Sequence, residues 1–140
     1  MKGAQRAMLE RGIPLDPGLV VFDKRDNIEM GYHGGLKLLR QSPHVTAIFA
    51  LTDAIAVGVL HAAAELGLKV PQDLSVVGFD DILLASHVMP RLTTVAQPVD
   101  LIGQKATDLL LQQIQNPELP SEMITLETHL VIRESTAPSP

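Results

Sequence analysis

Cysteine and tryptophan are missing from this sequence, and aromatic residues make up only 3% of its 140 positions. Without cysteine there is no disulfide framework and no thiol nucleophile, a pattern that fits a reducing compartment. With so few aromatics the core has to be aliphatic. There is also no run of about 18 apolar residues that could span a bilayer, and Met1-Lys2-Gly3 opens a polar helix rather than a signal peptide. The net charge is −5 and the 11 basic residues are scattered, so no basic stripe exists to neutralise a phosphate backbone. These absences predict a soluble, cytoplasmic domain that does not hold DNA or membrane by itself.

Catalytic signatures are absent too. His33, His44, His61, His87 and His129 show no HxxxH or HExxH spacing, and Ser75, Ser86 and Ser135 lack a GxSxG elbow. No glycine-rich loop joins a strand to a helix. Hydrolase, metal and nucleotide readings therefore have no support, and we expect no cofactor, no metal and no enzyme.

What is present is a single domain's length with 46% apolar residues. Ala4, Ala7, Met8 and Arg11 predict a first helix over residues 3 to 11, stopped by Gly12 and Pro14. No strand precedes it, as would be so in a piece of a longer protein. Leu19 to Phe22 suits a strand, with a polar loop from Asp23 to Asp26, and Ile28, Tyr32, Leu36 and Leu39 set a second helix that ends at Ser42-Pro43. Val45 to Leu51 reads as a buried strand, with Thr52 and Asp53 at its end. Asp53 is expected to cap the next helix, which Gly67 stops.

Leu74, Val76 and Val77 then form a short buried strand that ends in Gly78-Phe79-Asp80-Asp81. Ile82-Leu83-Leu84 and Val88-Met89-Pro90 make an apolar but interrupted patch that needs a partner. Leu92 to Val95 reads as a strand, and Pro98 suits the first turn of a helix with Leu101, Ile102, Ala106, Leu109, Leu110 and Ile114 on its apolar face. Met123 to Leu126 and His129 to Arg133 read as two further strands, and Ala137 to Pro140 as a frayed tail. Strands alternating with helices of this length indicate parallel β-α units, an α/β fold.

The chemistry concentrates at strand ends. Neighbouring residues on an extended chain point opposite ways, so Asp80 and Asp81 do not both face one site. One reading makes both of them solvated turn residues or a helix cap. The other follows from the buried strand and Gly78 before them, and from the second polar strand end at Thr52-Asp53: ligands of open α/β sheets bind beyond the carboxyl ends of strands. A phosphoacceptor receiver also places paired acids at a strand end. Here no aspartate ends the Leu92 to Val95 strand, and Lys105, the one lysine after Asp81, lies within a helix.

Three stretches, Thr46-Ala47-Ile48-Phe49-Ala50, Asp53 with Ala56 and Gly58, and Val70 through Asp81, together resemble the lactose/galactose repressor (LacI/GalR) family. Pro90 to Val95, Gly103 with Ala106, and Leu130 to Thr136 extend the likeness over nearly the whole chain. The resemblance implies a parallel-sheet three-layer sandwich of the type I periplasmic-binding-protein kind. It is incomplete here, being mainly the C-terminal lobe without that lobe's central first strand. Residues 1–137 would be a partial effector-binding and dimerisation domain, with the C-terminal lobe mainly 1–95 and 126–136, the helix 99–115 in the other lobe, and 138–140 a tail.

The same resemblance implies the roles. Asp80 would accept hydrogen bonds from effector hydroxyls or amines. Thr52 stands where the family usually has Asn, and Asp26 near the place of an aromatic that stacks on the effector. Gln97 and Val99 would belong to an interlobe crossover beside the pocket, while Asp53 caps. Val57, Leu84, Val88 and Met89 fall where family dimers pair. The implied function is effector sensing, of a sugar or related polar metabolite, by a homodimeric or higher-order transcriptional regulator that reaches DNA only through an absent headpiece. A solute-binding component of a sugar transporter is the alternative.

Overall fold

In a computed structural model the protein is described for residues 2–22 and 26–138; the predicted loop residues Asp23 to Arg25 and the last two residues of the predicted tail lie outside that range. Four helices and four strands occur in the order α1 (Lys2–Leu9), α2 (Ile28–Gln41), β1 (Ala47–Phe49), α3 (Asp53–Glu65), β2 (Ser75–Asp80), β3 (Thr93–Ala96), α4 (Val99–Gln115) and β4 (His129–Val131). The sheet order is β1-β2-β3-β4; β1, β2 and β3 are parallel and β4 runs antiparallel to β3. The β-α alternation in the sequence required the parallel part. The antiparallel last strand departs from it, because β4 returns after α4 and a loop rather than through a packed crossover helix.

Side-chain alternation explains the core. On β2, Val76 and Gly78 are buried while their neighbours are half-exposed. Val76 packs with Leu39 of α2, with Ala56, Val59, Leu60 and Ala63 of α3, and with Leu74, Ala85 and Leu92, an almost purely aliphatic cluster. The two helices meet over glycines. A β-carbon on Gly31 would lie 2.1 Å from the carbonyl oxygen of Ile55, and one on Gly58 would lie 2.1 Å from that of Ile28. Only glycine permits this backbone contact.

Several sequence expectations need correction. Leu19 to Phe22 is not a laddered strand: Pro17–Leu19 forms a 3₁₀ turn capped by Asp16, and Val20 continues in an extended conformation with no paired strand beside it. A strand exists only through its hydrogen-bonded neighbour, which the local pattern does not report. Met123 to Leu126 is irregular for the same reason. Pro98 is the N-cap of α4 rather than part of its first turn. The predicted frayed tail is tied down at its start, where the Ala137 N–H donates to the Ser75 hydroxyl at 3.2 Å.

The C-terminal segment closes the far side of the sheet. Buried Ser135 receives the Thr93 N–H at 2.8 Å on its hydroxyl, which donates to the Val76 carbonyl at 2.6 Å. Its own carbonyl accepts the Val76 N–H. By contrast, α4 contributes no buried residue at all.

Candidate functional site

Thr52 and Asp26 meet at the carboxyl end of β1, and Asp80 and Gln97 meet at the carboxyl ends of β2 and β3. Thr52 is the N-cap of α3, its hydroxyl accepting the Ile55 N–H while donating to Asp26 Oδ1 at 2.6 Å. The expectation that Asp53 caps this helix is thereby corrected by one residue. An N-cap needs extended backbone, which Thr52 has at φ −143°, whereas Asp53 is already helical.

Asp53 is instead a buried strut. It is fully buried, and its carboxylate accepts the Thr94 hydroxyl at 2.5 Å and the Ile82 N–H at 2.9 Å. Gly78 makes room for it, since a β-carbon there would lie 2.2 Å from Asp53 Oδ1. One carboxylate thus joins the start of α3, the middle of β3 and the backbone just after the two acids. The sequence signal for this was the glycine two residues before Asp80, which marked a close approach without naming the partner.

Asp80 and Asp81 diverge, but not through the extended backbone that the sequence argument assumed. Asp80 accepts from Gln97 Nε2 at 2.6 Å, and Asp81 pairs with Arg133 at 2.6 Å on the other side. Both residues have positive φ, 123° for Asp80 and 58° for Asp81. The second is the left-handed region that aspartate tolerates, whereas the first is a strained conformation of the kind held by function. Burial raises the Asp80 pKa above its ordinary value, with the charges of Asp53 and Asp26 adding to the rise and the Gln97 amide opposing it.

Asp26, Thr52, Asp80 and Gln97 therefore share one polar end of the sheet, linked in hydrogen-bonded pairs. Val99, the first residue of α4 and two positions after Gln97, is 64% exposed. Two carboxylates, a hydroxyl and an amide can accept from and donate to hydroxyl or amine groups of a small molecule. Among the described residues no group of three His, Cys, Asp or Glu is disposed to hold a metal, and no helix is long and apolar enough to cross a membrane.

The second set of expected residues is split. Leu83–Ser86 forms a short 3₁₀ helix, from which Leu84 is exposed, and Met89 beyond it is 87% exposed. Val88 packs partly against the core. Val57, expected at an interface, is 2% exposed. It belongs to the buried face of α3 and offers no surface to a partner.

A parallel sheet with its polar cluster beyond the strand ends defines the class. Residues 1–136 match the periplasmic binding protein-like domain, and the chain belongs to that family. Within the class it is of the LacI/GalR type. The ribose operon repressor of Haemophilus influenzae is 42% identical over 135 residues, 96% of this chain and 40% of the relative. The structure of the CelR transcriptional regulator in complex with cellobiose superposes with a TM-score of 0.91 at 34% identity, over 96% of this chain and 41% of that one. A LacI family transcriptional regulator from Enterococcus faecium with bound ribose gives 0.86 at 34% identity, over 99% and 51%. The chain thus spans about two fifths to half the length of these relatives.

Proposed function

We propose that this chain is the effector-binding and dimerisation part of a LacI-type transcriptional regulator, in which a sugar-like polar molecule controls DNA binding by a headpiece outside the chain. The gathering of Asp26, Thr52, Asp80 and Gln97 at the strand ends carries this reading. Relatives with ribose and cellobiose bound support a hydroxyl-rich effector. That these relatives are regulators favours this reading over a transporter component.

In this proposal residues 1–95 and 126–136 form one lobe, and α4 belongs to a second lobe that would cover its apolar side. The effector lies between the lobes and shifts their populations, which requires different affinity for the open and closed arrangements. Leu84 and Met89 would meet a second copy, with Val88 behind them. Asp80→Ala in the full-length regulator should abolish the response of operator binding to effector while leaving the fold intact; an unchanged response removes Asp80 from the site. These 140 residues alone should bind D-ribose only weakly, and calorimetry giving a Kd below about 1 μM would overturn the two-lobed pocket. Light scattering that finds only monomer at high protein concentration would remove the interface.

A further inference from the structure

Two consecutive residues at the end of β2 carry positive φ, 123° at Asp80 and 58° at Asp81. Aspartate tolerates the second value, the left-handed region, whereas the first is open to glycine and costly for other residues. A strained residue persists only where its surroundings fix it more firmly than the strain can relax it.

Before Asp80 the backbone is held by the sheet, since β2 pairs with β3 up to Asp80 opposite Ala96. Beyond it there are two ties. Asp53 accepts the Ile82 N–H at 2.9 Å, and Arg133 Nη2 donates to Asp81 Oδ1 at 2.6 Å. Arg133 comes from the closing segment just after β4 and is itself anchored on β3 and its approach. Its backbone N–H donates to the Thr93 hydroxyl and its Nη1 to the Leu92 carbonyl, both at 2.9 Å. A planar guanidinium spans a carbonyl and a carboxylate in this way, with more directional hold than a point cation.

Burial separates this pair from its neighbour. The Arg133 and Asp81 side chains are 17% and 27% exposed, against 56% and 45% for the pair of Arg91 with Glu134 one residue along the closing segment. Solvent and salt screen the exposed pair, which constrains little, whereas the first is shielded. Asp53 ties the turn from inside the core, where it also holds Thr94, so Arg133 is the anchor that can be removed without opening the core.

We propose that Arg133 is a positioning residue for the effector site: by holding Asp81 in the left-handed turn it fixes Asp80 at its strained φ and keeps the Asp80 carboxylate on Gln97 at the strand ends. The inference rests on the reading of Asp80 as an effector contact. No spacing in the sequence ties Arg133 to Asp81, 52 residues upstream.

NMR of the 140-residue chain reads the positioning without any effector. The three-bond HN–Hα coupling of Asp80 is small at its present φ and large in an extended strand, and the Gln97 side-chain amide reports the bond to Asp80. Arg133→Gln should turn the small coupling large and move the Gln97 amide signals to the position of a free amide. Asp81→Asn keeps a residue that tolerates left-handed backbone and leaves the bonds from Arg133 to Leu92 and Thr93 in place. It should do the same, and the double variant should add nothing further. Glu134→Gln, which breaks only the exposed pair, should move neither signal. Should Arg133→Gln fail to fold, Asp81→Asn decides. The proposal is overturned if the folded variants keep the parent's small coupling and Gln97 signals, if the two substitutions add, or if Glu134→Gln moves the signals as far. Those outcomes leave the effector role of Asp80 standing, whereas an unchanged effector response of Asp80→Ala in the full-length regulator overturns that role and leaves the positioning to the same spectra.

Discussion

α3 and α4 are both long helices with apolar residues at helical spacing, yet α3 buries eight of its residues and α4 buries none. The difference lies outside the helices. α3 lies against β2 and α2 over glycine and alanine, so its backbone approaches closely. α4 leaves the sheet through Pro98, and among the described residues no helix or strand covers Leu101, Ile102, Leu110 or Ile114. An apolar stripe states what a helix needs, not what it has.

The sharpest way to break this contrast is to add the same kind of atom to both helices. Gly58→Val puts a β-carbon on the Ile28 carbonyl, where backbone cannot yield, and should destabilise by more than ~3 kcal/mol in urea unfolding. Gly103→Ala meets nothing within 4 Å and should stabilise by ~0.5–1 kcal/mol through helix propensity alone. Equal effects at the two positions would show that α4 is covered in solution.

Asp53 tests what holds the packed half to the strand ends. Asp53→Ala strands the Thr94 hydroxyl and the Ile82 N–H without an acceptor, so a loss of about 2–3 kcal/mol is expected. Amide exchange at Ile82 should accelerate more than at Val76, because the lost bond anchors the start of the partly exposed 82–89 segment. Uniform acceleration would make Asp53 an ordinary core residue.

Much of this arrangement was readable in the residues. The apolar stripe of α4, the buried β2 strand and the polar ends of β1 and β2 follow from periodicity of 3.6 or 2 and from turn chemistry, whereas the bounds 99–115 came with the family resemblance and Asp80 parts from Asp81 at positive φ. Partnership across the chain was not readable. Nothing near Val20 reports that its ladder is empty, nothing near Asp53 reports Thr94 forty-one residues on, and Ser135 gives no local hint that it bonds both β2 and β3. Val57 failed likewise: its family-implied place at an interface conflicts with its burial on α3. Resemblance supplied the set Asp26, Thr52, Asp80 and Gln97, but the pairing of Thr52 with Asp26 and of Gln97 with Asp80 comes from the fold.

On α4 itself the expectation is a small effect where the sequence suggests a large one. Leu110→Gln and Ile114→Gln replace residues that are 61% and 65% exposed, so each should change stability by less than ~0.5 kcal/mol in this chain. Leu60→Ala in α3, at 6% exposure, should lose ~2–4 kcal/mol. If the Gln variants cost as much as Leu60→Ala, α4 has a partner that completes its burial.

The smallest effect sits at the joint between the two regions, where Asp80 ends β2 and holds Gln97 just before α4. Burial raises the Asp80 pKa, with the Asp53 and Asp26 charges adding to it. A carboxyl whose pKa is higher folded than unfolded favours folding in its protonated form. Its contribution is complete below the unfolded value, about 3.9, and is lost as pH rises through the folded value. Asp80→Asn removes that loss, so the variant should gain on the parent chain as pH rises above ~4, by less than any change above. Gln97→Ala removes the one side chain that lowers this pKa and should push the carboxyl titration, followed by NMR at the Asp80 side-chain carbon, further upward. An Asp80 that titrates below the ordinary aspartate range would mean the Gln97 bond outweighs burial, and the joint would then act as a tether for α4.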